Sequence, residues 1–104
     1  MNVKTFDQKV EDLITSLDKP VYAKVSRTII LLRTFGNALR MPYSKSLGSN
    51  LFELRARGQQ EIRIFYTFYD NEAILLHAFI KKTQNTPLRE LETAKAKLKA
   101  LTSI

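Results

Sequence analysis

The chain has 104 residues, 44% of them apolar, with three glycines, three prolines and no cysteine. That suits one domain with a single core over residues 1–104, and it excludes disulfides, thiolate metal sites and cysteine nucleophiles. Seventeen Lys and Arg against 10 Asp and Glu give a net charge of +7; such a field draws polyanions or acidic proteins, while apolar runs as short as Thr28–Leu32 and a start without a signal-type apolar segment point to a cytoplasmic protein with no membrane partner.

A short strand has room at Val3–Phe6. Phe6, Val10, Leu13, Ile14 and Leu17 then recur at helical spacing, which predicts an amphipathic helix from Asp7 to Leu17. Asp18-Lys19-Pro20 opens a second helix, with Asp18 or Lys19 near the cap and Pro20 in the first turn. Its stripe of Val21, Val25, Thr28, Ile29, Leu32 and Phe35 runs to Gly36, a natural C-terminal stop. The brief join makes the two helices a hairpin. Gly36 to Asn50 reads as a connector that carries the basic residues Arg40 and Lys45.

Three strands follow at Leu51–Arg57, Glu61–Tyr69 and Ala73–Lys81, joined at Gly58-Gln59-Gln60 and Asp70-Asn71-Glu72. At period two, the even positions Phe52, Leu54, Ile62, Ile64, Tyr66, Phe68, Ile74, Leu76 and Ile80 form a core face. The odd positions place Arg55, Arg57, Arg63, Phe65, Tyr69, His77, Phe79 and Lys81 on the other. Two loops of three residues keep these faces unmixed and set Arg55 against Arg63, Phe65 against His77, Arg63 against Phe79 and Tyr69 against Ala73; a two-residue turn at Asp70-Asn71 would set Thr67 against Ile74 and mix them. Like charges in direct opposition cost about 0.2–1 kcal/mol, so the arginine pair calls for solvent, an anion or Glu53 on the same face. A last helix starts with Thr86 at its N-cap and Pro87 at N1, and carries the stripe Leu88, Leu91, Ala94, Leu98 and Leu101. The fold class expected is α+β, with an N-terminal helical hairpin on a small antiparallel sheet, a three-stranded meander that a short N-terminal strand would extend, and a C-terminal helix.

One histidine and no cysteine exclude a His/Cys zinc cluster; the isolated glycines form no phosphate-binding loop, the acids are scattered, and no cofactor is expected. The residues that remain suit metal-free cleavage of RNA, in which the ribose 2′-OH attacks the adjacent phosphate. Arg55 and Arg63 fit the cations on the phosphate oxygens, because a guanidinium offers two parallel donors. His77, as a histidine, suits a base or acid, and Lys81 and Lys82 would hold the backbone or move a proton. Phe65, Phe79 and Tyr69 would stack bases. Each also has a structural reading: a strand histidine held in place, arginines solvated or paired, and aromatics covered by a partner or by the C-terminal helix.

Met41-Pro42-Tyr43-Ser44-Lys45, Leu51-Phe52-Glu53-Leu54-Arg55, Arg63-Ile64-Phe65-Tyr66, Leu75-Leu76-His77-Ala78-Phe79 and Lys81-Lys82-Thr83-Gln84-Asn85-Thr86-Pro87 together resemble the RelE/HigB-like toxin superfamily, nearest the branch of phage-derived host-killing proteins. The resemblance implies a compact fold of two helices, a small antiparallel sheet and a C-terminal helix. It also implies the toxin of a type II toxin–antitoxin pair, a ribosome-dependent endoribonuclease acting on mRNA. The implied partners are the ribosome, mRNA and an antitoxin with a helix-turn-helix domain, through which alone the pair would meet operator DNA. Arg63 matches the strand arginine associated with the transition-state phosphate, Arg55 the arginine ending the preceding strand motif, and Lys81 and Lys82 the basic pair after the third strand. Phe52 replaces a common tryptophan. No tyrosine follows Lys82 in the last helix, where some members carry a catalytic one, which leaves that role empty or moves it to His77.

The catalytic candidates are therefore Arg55, Arg63, His77 and Lys81, and the candidates for holding RNA are Lys45, Arg57, Phe65, Phe79 and Lys82. Two other functions stay open: a ParE-like toxin of the same fold that inhibits DNA gyrase, and a binding module whose cationic face only receives an acidic antitoxin.

Overall fold

A computed structural model describes residues 1–103. Its elements in chain order are β1 (Asn2–Thr5), α1 (Gln8–Thr15), α2 (Lys19–Phe35), β2 (Ser44–Gly48), β3 (Leu51–Ala56), β4 (Glu61–Tyr69), β5 (Glu72–Lys81) and α3 (Leu88–Thr102). The strands form one five-stranded sheet in the order β1-β5-β4-β3-β2. β1 runs parallel to β5, and every other pair is antiparallel. The α+β reading with two leading helices and a closing one is therefore correct.

Local chemistry explains most of the boundaries. The Asp7 carboxylate caps α1 by accepting the Val10 N–H at 3.2 Å. Asp18 precedes α2 with Pro20 in its first turn, and Gly36 ends it at φ +53°, a conformation that a Cβ would strain. At α3 the expected cap is displaced. The helix begins at Leu88 with Pro87 before it, and the Thr86 hydroxyl donates to Glu53 Oε2 at 3.5 Å instead of capping.

Two parts of the sheet differ from the sequence reading. The stretch that reads as a connector contains β2, an edge strand whose Ser44-Lys45-Ser46-Leu47-Gly48 has no alternating apolar face because only Ser44 is buried. The second loop of the meander is the two-residue turn, with Asp70 at φ +52°, Asn71 at φ +62° and Tyr69 paired with Glu72 rather than Ala73. Thr67 does face Ile74. The mixing of faces is confined by a β-bulge: Phe65 pairs with His77 and Tyr66 with Leu75, leaving Leu76 as the extra residue.

The bulge decides which side chains go where. Phe52, Leu54, Ile62, Ile64, Tyr66, Phe68 and Ile80 pack, as expected, with Val10, Ile14, Val21, Val25 and Leu32 of the two leading helices. Beyond the bulge, Ala73 and Leu75 join that layer, while Ile74 and Leu76 move to the opposite face. There they pack with Leu51, Phe65, Phe79 and Ala94 beneath α3, against Leu91, Leu98 and Leu101. The sheet is thus covered by helices on both sides. Lys97 of α3 reaches the Asp7 carboxylate at 3.0 Å and ties the last helix to the start of α1.

The turn yields a stability test. Asn71→Gly fits the left-handed backbone and is expected to stabilise the fold by up to about 1 kcal/mol, whereas Asn71→Val costs at least about 1 kcal/mol. Urea-unfolding midpoints measure both.

Candidate functional site

The face beneath α3 is divided along its length. Toward the middle of the sheet it is apolar and covered. Toward the ends of β3 and β5 it is charged and open, and the chain leaving β5 walls a groove of about 880 Å³ there. Lys45, Arg55, Arg57, Glu61, Arg63, Lys81 and Lys82 line it, together with the Gly58–Gln60 turn and Thr83–Thr86.

Parity and register bring these residues together. Arg55 on β3 faces Arg63 on β4, Lys45 on β2 faces Glu53, and Glu61 faces Lys81. Glu53 lies two residues before Arg55, on the same face, and its side chain sits between the two guanidinium groups. Glu53 Oε1 accepts Arg55 Nε at 3.0 Å and Arg63 Nη1 at 3.1 Å. Glu53 is 3% exposed and Arg63 4%. Charges so buried persist only when paired and hydrogen-bonded.

Glu61 supplies the second carboxylate. Its Oε2 accepts Arg63 Nη2 at 2.8 Å and its Oε1 lies 3.2 Å from Arg57 Nε. Partial burial pushes this carboxyl up, but the hydrogen bond from Arg63 and the charges of Arg63, Arg57 and Lys81 outweigh it, holding Glu61 below its ordinary 4.5. Its contribution to stability is therefore fully present above that value and is lost as the pH falls below it. Arg63 Nε remains, the one buried side-chain polar atom without a hydrogen-bond partner among the described residues.

The lysines differ from one another. Lys81 Nζ donates to the carbonyls of Thr83 and Gln84, each at 2.7 Å, which pins its ammonium where the chain leaves β5. Lys82 and Lys45 line the groove without an ion pair among the described residues. Six cations thus meet two carboxylates, and the local field is strongly positive.

The structure brings six of the nine candidates together: Arg55, Arg63, Lys81, Lys45, Arg57 and Lys82. It does not bring His77, Phe65 or Phe79 to them. Phe65 is 0% exposed and Phe79 5%, both in the apolar layer under α3, so neither offers a ring to a nucleic-acid base. His77 lies outside the groove, where its Nε2 and Glu90 Oε1 of α3 are 2.9 Å apart. It joins strand to helix and is not placed to serve as base or acid in the groove. The physical reason in all three cases is the apolar stripe of α3, which needs a face to cover and takes the half of the sheet that carries the aromatics.

Sequence reasoning gave Glu53 only a partial neutralising part and gave Glu61 and Thr86 none. The signal was present: Glu53-x-Arg55 and Glu61-x-Arg63 put an acid and an arginine on one face of adjacent strands, twice. Among the described residues, no three His, Asp or Glu side chains come together as metal ligands.

The model of a family described as Phage derived protein Gp49-like (DUF891) matches residues 12–99. No curated protein gives a significant match.

Removing the charge between the arginines is expected to be severe. Glu53→Gln leaves two guanidinium groups facing each other with no anion between them, and should destabilise the fold by about 3–5 kcal/mol. Urea unfolding monitored by circular dichroism measures it, and a change of under about 1 kcal/mol would remove Glu53 from its central place.

Proposed function

The chain belongs to the Gp49-like phage-derived family, and we propose that it is the toxin of a type II toxin–antitoxin pair, a metal-free endoribonuclease that cuts mRNA on the ribosome and so stops translation. Membership of the family is consistent with the toxin of a toxin–antitoxin pair. The observation that carries the enzymatic reading is the arginine pair on Glu53 inside a cationic groove. A phosphodiester approaching it meets donors that are already charged and already ordered.

The reaction asked of the groove is attack by a ribose 2′-OH on its own 3′-phosphate: the 2′-oxygen gives its proton to water as it bonds to phosphorus, the bond from phosphorus to the 5′-oxygen breaks, and that oxygen takes a proton from water to leave as a 5′-OH. Charge builds on the non-bridging oxygens as the fifth bond to phosphorus forms. Arg55 and Arg63 are the groups for that charge, with Arg63 Nε an unused buried donor. Lys81, held by two backbone carbonyls, keeps a fixed positive charge at the mouth of β5. Lys45, Arg57 and Lys82 would hold the flanking phosphates. With His77 bound to Glu90, the contribution of this groove is positioning and electrostatic stabilisation, which is commonly the largest single term in such catalysis.

The proposed partners follow from the same reading. The ribosome presents the mRNA, and an antitoxin, carrying acidic residues that complement the cationic groove and a helix-turn-helix domain of its own, would silence the toxin and bring the pair to operator DNA.

The experiment is induced expression with mapping of mRNA ends. Wild-type protein should arrest translation and leave 2′,3′-cyclic phosphate and 5′-OH ends, while Arg63→Lys and Arg55→Ala, each checked for folding, should cut about a hundredfold more slowly. Undiminished cleavage in both folded variants would contradict the assignment. Inhibition of gyrase supercoiling without mRNA cleavage would instead favour a ParE-like toxin.

A further inference from the structure

In the arrangement just described Arg63 is held by two carboxylates and reaches a phosphate only when one of them yields. Its Nη1 is taken by Glu53, its Nη2 by Glu61, and its whole side chain is 5% exposed. Glu53 is as buried as the arginine and is also bound to Arg55 and Thr86. Glu61 is different. Its side chain is 32% exposed, it lies at the first position of β4, beside the Gly58–Gln60 turn, and its two oxygens reach one guanidinium each.

Carboxylates and phosphates present paired oxygens to guanidinium donors in the same way. We infer that the Glu61 carboxylate occupies a phosphate subsite formed by Arg63 Nη2 and Arg57 Nε, and that a phosphodiester group of single-stranded RNA enters the groove by displacing it. This inference rests on the endoribonuclease reading and names the subsite that such a substrate would take.

The displacement has a direction. Glu53 stays, because moving it would leave two opposed arginines buried without an anion. Glu61 swings toward solvent, where a carboxylate is readily hydrated. The incoming phosphate then restores the charge balance of Arg63 and Arg57. While RNA is absent, Glu61 keeps Arg63 paired and the groove ordered. Its removal should therefore strengthen RNA binding, although it takes away two native ion pairs.

The test uses a non-cleavable single-stranded RNA, 2′-O-methylated throughout, with binding read by fluorescence anisotropy at several salt concentrations. Glu61→Gln should bind about two- to fivefold more tightly than wild type, the range open to loss of one partly exposed competing charge. Glu72→Gln makes the same change in net charge where Glu72 pairs with Lys4, away from the groove, and should leave the affinity close to wild type. If wild type binds but Glu61→Gln binds no more tightly, or Glu72→Gln tightens binding equally, the displacement is wrong and the endoribonuclease reading stands. If no form binds the RNA at low salt, both fall.

Discussion

Two arginines stand directly opposite each other on β3 and β4, and the Glu53 carboxylate between them is what makes the sheet tolerable there. Without it, adjacent strands would hold like charges where water barely reaches. With it, the pair becomes a fixed array of donors that cannot relax away from an incoming anion. The same carboxylate accepts the Thr86 hydroxyl, so the segment from β5 to α3 is attached to the charged centre, and that segment walls the groove. Removal of one partner from a buried ionic group is far more damaging than the net worth of the group suggests. Glu53, Arg55 and Arg63 therefore stand or fall together.

The division of the face under α3 follows from a competition for cover. The apolar stripe of α3 needs a surface, and Leu51, Phe65, Leu76 and Phe79 provide it. The charged half of that face cannot be covered by Leu91 or Leu98 without desolvating six cations, so the helix stops short and the groove stays open. His77 sits on the covered side of this boundary and bonds to Glu90 of α3. Core packing and the charged groove thus use neighbouring parts of one surface, and the bulge at Leu76 keeps them separate by returning Leu75 and Ala73 to the other core.

Much of this was legible in the sequence, for reasons tied to particular residues. Strict alternation through Glu61–Phe65, together with a three-residue loop at Gly58–Gln60, is enough to set Arg55 against Arg63, and that pair is present; Phe65 also faces His77, but through the bulge at Leu76, which offsets the shorter turn at Asp70-Asn71, and not through the three-residue loop that the sequence suggests there. Alternation assumes a constant register, however, and a bulge breaks that assumption without a compositional sign; Leu76 looks like any other strand leucine. The strand β2 was hidden because an edge strand with one buried residue has no periodic signal. Of the two readings open for Phe65 and Phe79, cover by the C-terminal helix is the one found, and it has a reason in the sequence, since the stripe of α3 had to meet some apolar surface and the opposite face of the sheet was already taken by the leading helices. In the sequence Glu53 reads as a partial counter-ion to the arginines while Glu61 is weighed only as a metal ligand, whereas here both serve as counter-ions.

On the proposed function a phosphate meets the arginine pair while His77 lies outside the groove, and arginine side-chain NMR separates these directly. Titration of the labelled protein with the 2′-O-methylated RNA should shift the Nε–H resonances of Arg55 and Arg63 while the His77 ring signals stay where they are. Movement of the His77 signals with the two arginine resonances unchanged would contradict the account.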